Sequence, residues 1–306
     1  MSHANNHIAV LRNSSSPEGA VSLSSARECA KALRQTGFQV SEIDIDCNIA
    51  SKLKAIQPNV CFNALHGPVG EDGTIQGLLN ILGIPYTHSG VLASAIAMNK
   101  AIAKNIFFSR GLRCPIGKVV TPISFKTRQP IEPPYVIKPV NQGSSVGICV
   151  IKKGDDHQPI WSEWNFGNQV LVEEFIEGRE LTVAIFDGNP LEITEIISSN
   201  MFYDYEAKYV KKESRHVIPA QIPLSIRNEA ISMALQAHEA IGCRGISRCD
   251  FRYDDTKSNS GTLYLLELNT QPGMTPTSLL AEQAAFRGIS FTEIVTRMVS
   301  NAQCDY

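Results

Sequence analysis

The 306-residue sequence is short of several things that would narrow its function quickly. Its 28 Lys and Arg almost cancel its 30 Asp and Glu, and the formal net charge of −2 gives no basic surplus to draw nucleic acid or an anionic membrane. No apolar run reaches the length that spans a bilayer. Residues 1–7 lack the basic segment and apolar core of a secretory signal, so a cytoplasmic protein is expected. The cysteines (Cys29, Cys47, Cys61, Cys114, Cys149, Cys243, Cys249 and Cys304) are scattered with no C-x-x-C pair, which argues against a zinc site or a disulfide framework. Cys61 and Cys149 fall inside apolar, strand-like runs and read as small core residues. No internal repeat is visible. What remains is 43% apolar and 19% charged, ordinary usage for a globular chain with an ample core and length for two or three domains. Any phosphate chemistry must then come from local lysines, glycines and metals.

The most informative stretch is LYLLELNTQPGM at 263–274. It opens as a buried strand after the turn-former Gly261. Residues two apart on a strand point the same way, so Glu267 and Asn269 project from one face. A carboxylate and an amide carbonyl are hard oxygen donors of the kind Mg²⁺ takes while phosphates complete its octahedron. Upstream, SRCDFRY at 247–253 reads as a second strand with Arg248 and Asp250 on one face, and the short connection to residue 262 favours an antiparallel hairpin. Two acids, an amide and an arginine on paired strands suit a two-metal platform facing phosphate. A cross-strand salt bridge on a solvated face is the plainer alternative.

Taken in order, the chain begins with a strand at 7–11, a serine-bearing loop to Glu18, a helix over 21–35, a strand around 40–45 and another at 60–65 that runs into a loop at 66–73. That order is the grammar of a parallel α/β sheet, whose ligands sit beyond the strands' carboxyl ends. Glu18 and His66 would then face one crevice, although a first-turn acid and a satisfied loop histidine explain each singly. A single long helix is expected over 91–110, with Lys100 on a solvated face near its middle. Lys138 lies in the apolar strand 135–139, where a buried ammonium needs an anion. The loop VNQGSSVG at 140–147 follows, with glycines around Ser144 and Ser145 that let backbone N–H groups approach phosphate. No G-K-[ST] follows it, so it is not a Walker loop. Strands at 170–176, 179–186 and 191–197 are expected to form an antiparallel meander. Residues 201–209, with three tyrosines and a lysine, read as a loop that covers a site. A helix over 226–241 is closed by Gly242, and Thr275 to Ser278 opens a helix whose free N–H groups suit a carboxylate. A last helix covers 291–299.

Jointly these motifs resemble the ATP-grasp superfamily and, within it, the D-alanine–D-alanine ligase family almost end to end. The matching segments are Glu18 with Val21-Ser22-Leu23; Ala64-Leu65-His66-Gly67 with Gly70-Glu71-Asp72-Gly73; Met98-Asn99-Lys100; Ile137-Lys138-Pro139 with Gly143 to Gly147; Phe202 to Tyr209; Arg248-Cys249-Asp250; and Glu267-Leu268-Asn269 with Pro272-Gly273-Met274-Thr275. The resemblance implies an α/β (α+β), three-domain ATP-grasp fold with a parallel-sheet N-terminal domain. The expected divisions are 1–89, 90–175 and 176–306. It implies ATP-driven joining of two D-alanines through an acyl phosphate, with two Mg²⁺ (or Mn²⁺), no nucleic-acid or membrane partner, and a homodimer.

Carried over residue by residue, Lys100, Lys138, Ser144, Ser145 and Lys208 would hold the ATP phosphates. Glu173 and Ile176 would meet adenine, and Glu180 the ribose. Asp250, Glu267 and Asn269 would bind metal, with Glu267 bridging. Glu18 and His66 would take the first alanine, and Ser278 and Leu279 the second carboxylate. Arg248 and the N–H of Gly273 would stabilise the oxyanion. Glu18, Ser144 and Tyr209 would latch the covering loop. The sequence departs from the family's usual glycine pair at Asn13 and Ser14 and has Gly19-Ala20 after Glu18, which bears on the first-alanine pocket. Gln142 stands where an acid is common. Tyr209, rather than phenylalanine, favours the dipeptide over the D-lactate ester. A ligase of other amino-acid specificity, or a silent nucleotide binder, remains open from residues alone. The retained metal acids and arginine weigh against the second.

Overall fold

The computed structural model describes residues 6–14, 18–127, 130–143, 147–154, 161, 164–198, 214–256 and 261–306. The first stretch contains β1 (His7–Arg12), α1 (Gly19–Gln35), β2 (Gln39–Asp44), α2 (Ile49–Ile56), β3 (Val60–Asn63) and α3 (Thr74–Leu82). Next come α4 (Val91–Met98), α5 (Lys100–Ser109), β4 (Gly117–Val120), α6 (Pro122–Thr127), β5 (Tyr135–Pro139), β6 (Cys149–Ile151) and β7 (Val170–Glu174). The chain continues through β8 (Arg179–Phe186), β9 (Asn189–Ser198), β10 (Ser214–Val217), α7 (Leu224–Ile241), β11 (Ile246–Asp254), β12 (Thr262–Asn269), α8 (Leu279–Phe286) and α9 (Phe291–Ser300).

Three sheets result. The first is parallel, in the order β2-β1-β3, and its middle strand is sealed on both faces: Ile8, Ala9, Val10 and Leu11 have no solvent contact. A strand with helices on both sides needs such an unbroken apolar run. A helix missed in the sequence, α2, lies between β2 and β3; parallel neighbours need such a crossover. The second sheet is antiparallel, β4-β7-β5-β6, and the third is antiparallel, β10-β9-β8-β11-β12. The expected meander is therefore corrected. β7 belongs to the second sheet and β8 to the third, so the chain changes sheets at Phe175 to Gly178. Arg252 of β11 fastens that crossing, its guanidinium donating to the carbonyls of Ile176 (3.1 Å) and Gly178 (2.7 Å). Gly178 sits at φ +95° with its α-carbon so close to β11 that a side chain would lie 2.1 Å from the Tyr253 carbonyl.

The single helix expected over 91–110 is also corrected. It is two helices, α4 and α5, bent by 101° at Asn99. Neither Gly nor Pro marks the break. Asn99 leaves the helical region (φ −90°, ψ 96°) and its side-chain oxygen accepts the Ile102 N–H at 3.1 Å, so it N-caps α5. Lys100 therefore opens a helix, and it is buried rather than solvated. Both helices pack, with α7, on one face of the third sheet, where Ala93, Ala103 and Phe107 join Leu181, Val183, Cys249, Phe251 and Leu265 in one core. A second core ties the first sheet to α8 and α9, through Val10, Phe62, Leu280, Ile294 and Val295. Among the described residues no single helix is long and apolar enough to cross a membrane.

The start of α4 is fixed by a residue far away in sequence. The Asp305 carboxylate accepts from the Val91 N–H (2.9 Å), Asn80 (3.0 Å), the Tyr86 hydroxyl (3.0 Å) and Arg244 (2.8 Å). An acid at a helix N-terminus also meets the positive end of the helix dipole. The helix pair that delivers Lys100 is thus tied at its base to the first sheet and to the turn before β11.

Candidate active site

The hairpin β11–β12 pairs antiparallel, with Arg248 opposite Asn269 and Asp250 opposite Glu267. The expectation that these four face together holds, but by a device that alternation alone does not supply. Leu263 and Leu265 point into the core, and strict alternation would send Glu267 after them. The register slips between Asp250 and Phe251, leaving Leu266 as the extra residue of a β-bulge. The bulge reverses the parity, so Leu268 takes the core face and Glu267 and Asn269 turn to the other.

On that face the charges are mutually paired. Arg248 grips Asp250 through two hydrogen bonds, Nε to Oδ1 at 2.9 Å and a terminal nitrogen to Oδ2 at 2.7 Å. Thr182, opposite Asp250 on β8, donates to the same Oδ1 at 2.6 Å. This bidentate pair runs along one strand; the plain cross-strand bridge weighed from sequence is not what forms. Lys100 lies 3.2 Å from a Glu267 oxygen and donates to the Gln142 carbonyl at 2.5 Å, and its own N–H bonds the Val140 carbonyl at 3.0 Å. One lysine therefore joins α5, the metal-type hairpin and the entry to the glycine loop. The Asn269 side-chain oxygen accepts the Gln271 N–H at 2.7 Å.

Lys138 and Glu173 meet across neighbouring strands. The Glu173 carboxylate, 2% exposed, contacts Lys138 with one oxygen and Lys104 with the other. Burial alone would raise its pKa, but the two ammonium groups hold it below the ordinary carboxylate range. Its side chain is thus directed at lysines, which leaves the backbone of 173–176 for any base edge. Lys104 was missed in the sequence. The available signal was its spacing: four residues after Lys100 on one helix puts both on a single face. Ile176 is buried at the sheet crossing, and Glu180 at the start of β8 lies 3.8 Å from Arg252.

In the segments after β1 and β3, Glu18 and His66 are both buried. Gly67, at φ +74°, lies so near Glu18 that a β-carbon there would stand 1.8 Å from its Oε2, while one on Gly143 would meet Glu18 and Glu71 oxygens at 3.6 and 3.7 Å. His66 sits between Ser25 Oγ (3.0 Å) and Glu71 (3.4 Å), and Ser25 Oγ accepts the Met274 N–H at 3.3 Å. Two buried amides that sequence reasoning passed over complete this end. Asn63 donates to Gln271 (2.7 Å) and to the Gly70 carbonyl (3.0 Å), and Gln271 donates to the Leu65 carbonyl. They bind the loop after β3 to the turn after β12, which holds Gly273. A β-carbon on Gly273 would lie 3.8 Å from that of Ser278, the N-cap of α8. The Ser278 hydroxyl donates to the Thr275 carbonyl at 2.8 Å, and Leu279 begins the helix. Ser144, Ser145, Lys208 and Tyr209, with the rest of the 202–209 segment, lie outside the described residues.

Asp250, Glu267 and Asn269 fit a hard divalent cation by donor type. Three protein oxygen donors cannot fill a six-ligand shell, so substrate oxygens and water would supply the remainder. Among the described residues, Arg248, Lys100, Lys104 and Lys138 pair with the carboxylates of Asp250, Glu267 and Glu173.

Three sheets with such a charged cleft define an ATP-grasp ligase fold. The model of the D-ala D-ala ligase C-terminus matches residues 121–300, and that of the N-terminus matches residues 47–89. The chain is 51% identical over 302 residues to the D-alanine–D-alanine ligase of Agrobacterium fabrum, covering 97% of this chain and 98% of that protein. It is 50% identical over 302 residues to the ligase of Parvibaculum lavamentivorans, covering 98% of each. Among solved structures, D-alanine–D-alanine ligase from Bacillus anthracis superimposes with a TM-score of 0.83 at 31% identity, and its complex with ATP with a TM-score of 0.79 at 27% identity, each covering 96% of both chains. The chain belongs to the D-alanine–D-alanine ligase family.

Proposed function

We propose that this protein joins two D-alanines to D-alanyl-D-alanine at the expense of ATP, for peptidoglycan precursor synthesis. The observation that carries the mechanism is the bulge at Leu266, which turns Glu267 and Asn269 toward Arg248 and Asp250 beside Lys100. A carboxylate attacking the γ-phosphate is repelled by a polyanion, and lysines must offset that repulsion. Lys100, which bonds the Gln142 carbonyl, and Lys138 would do so, with Ser145 and Lys208 as further phosphate contacts. Two Mg²⁺, or Mn²⁺, held by Asp250, Glu267 and Asn269 would neutralise phosphate charge when bound. The backbone of 173–176 would meet adenine, so Glu173 serves through its chain rather than its carboxylate; Ile176 lines that pocket and Glu180 takes the ribose.

Glu18 and His66 orient the first D-alanine through its ammonium and carboxylate. Its carboxylate attacks the γ-phosphorus and ADP leaves. Ser278 and the Leu279 N–H hold the second D-alanine's carboxylate while its amine attacks the acyl phosphate. Arg248 and the Gly273 N–H then stabilise the tetrahedral oxyanion, and phosphate departs. Asp250 engages Nε and one terminal nitrogen of Arg248, and the other terminal nitrogen would serve the oxyanion. Ser144, Tyr209 and Glu18 latch the 202–209 segment over the site, excluding water from the acyl phosphate. We further propose units at 1–89, 90–175 and 176–306, a homodimer, and a cytoplasmic setting where ATP and free amino acids are available. Phosphate release with Mg-ATP across D- and L-amino acids and D-lactate, followed by product mass, tests the function. D-alanine is expected to drive release and yield the dipeptide. Release driven by another amino acid and not by D-alanine would assign a different ligase.

A further inference from the structure

We infer that Lys104 is a positioning residue for nucleotide binding: by neutralising Glu173 it leaves the positive charge of Lys138 available to the phosphates of ATP. The inference rests on the reading above that Lys138 faces ATP. Glu173 divides its two oxygens between two lysines from different elements, Lys138 on β5 and Lys104 on α5. All three side chains are buried, so their charges are poorly screened by water. One carboxylate against one ammonium would leave no net charge, and Lys138 would be spent on its neighbour. The second ammonium leaves the cluster one charge positive, which is costly in the interior unless an anion comes alongside. ATP is such an anion.

Two features keep the arrangement in place. Gly117 on β4 lies opposite Glu173, and a β-carbon there would come within 2.7 Å of the Glu173 β-carbon. The absence of a side chain at 117 therefore leaves room for Glu173 at this position. Lys104 is carried by the same helix as Lys100, whose ammonium reaches Glu267 and the Gln142 carbonyl. One helix thus sends two lysines to two carboxylates of the cleft. Among the described residues Cys114 also lies beside the cluster, and burial pushes its thiol up to about 11, so it adds no charge near neutrality. Burial lowers the Lys104 pKa while Glu173 opposes the fall.

Charge balance gives a test that simple loss of packing would not pass. ATP affinity, D-alanine KM and thermal melts are measured on the full chain for Lys104→Met, Lys104→Gln, Lys104→Arg and Lys138→Met. Lys104→Met takes the cluster to zero and is expected to weaken ATP about tenfold, the scale of one poorly screened charge, with D-alanine KM little changed. Lys104→Arg keeps the positive charge, and ATP affinity is expected to stay within about threefold of the wild type. Should Lys104→Met not fold, Lys104→Gln, which removes the charge but keeps a hydrogen-bond donor for Glu173, carries the test: a tenfold loss of ATP affinity supports the inference and wild-type-like affinity overturns it. Unchanged ATP affinity in Lys104→Met, or equal losses in Lys104→Met and Lys104→Arg, also overturns it. If Lys138→Met weakens ATP and Lys104→Met does not, this inference alone fails. If Lys138→Met has no effect, the nucleotide reading of Lys138 fails with it.

Discussion

The two ends of the cleft are held by different forces. At the end that we assign to the amino acids, Asn63, Gln271, Ser25 and His66 are joined by hydrogen bonds that link the loop after β3 to the turn after β12. At the phosphate end the same job falls to ion pairs: Arg248 with Asp250, Lys100 with Glu267, and Lys104 and Lys138 with Glu173. A buried amide network is strong only when every donor and acceptor is met, and it then has one geometry. Ion pairs in a cleft can exchange partners, because a phosphate or a cation substitutes for either member. On the function proposed above, the first end suits a small zwitterion in a fixed shape, and the second suits a charged substrate that can open its pairs.

Breaking the exchanging end has the largest expected effect. Arg248→Ala removes the proposed oxyanion donor, and turnover is expected to fall by about 10²–10³ while ATP affinity moves far less. Phosphate-release kinetics against ATP concentration separate the two, and near wild-type turnover would take Arg248 out of the mechanism. Breaking the fixed end comes next. Gly67→Ala pushes a methyl onto Glu18 at a backbone conformation that suits glycine, and D-alanine KM is expected to rise about tenfold with ATP KM unchanged. Equal changes in both KM values would mean that the two ends are not separately built.

The smallest effect sharpens the contrast through pH. His88 adjoins the amide network; Thr87 Oγ1 accepts the Asn63 N–H at 3.0 Å and is hydrogen-bonded to His88 Nδ1 at 2.9 Å. Burial, with His66 nearby, pushes the His88 pKa down from 6.5 to about 3. The unfolded chain binds a proton below about 6.5 that the native chain refuses until about 3, so this histidine costs stability as pH falls through that window. Between pH 6.5 and 5.5 the loss is about 1 kcal/mol, and His88→Asn is expected to flatten the melting temperature over that interval. A variant with the wild-type slope would show that the native His88 pKa is not lowered from its unfolded value.

Much of this architecture is legible in the residues, and what is not has physical causes. The apolar run of β1 and the alternation of β11 and β12 announce their strands, because burial on two faces or one leaves its own period. Lys138 inside an apolar strand likewise points to a site, since an ammonium there requires a partner. The bulge at Leu266 is silent: LYLLEL reads the same with or without it, and only the register with β11 shows which residue is extra. The bend at Asn99 is nearly silent, because its signal is one capping side chain in place of Gly or Pro. The change of sheet after β7 is set by Arg252, some 75 positions away, and no local pattern carries it. Lys104 was hidden by its helix, where a charged residue is ordinarily solvated.

Binding of Mn²⁺, followed by its paramagnetic resonance with and without ADP, addresses the convergence of these charges on one nucleotide most directly. Tight Mn²⁺ binding is expected to need both ADP and the two acids, and to be lost in Asp250→Asn and in Glu267→Gln. Nucleotide-dependent Mn²⁺ binding that survives both substitutions would contradict it.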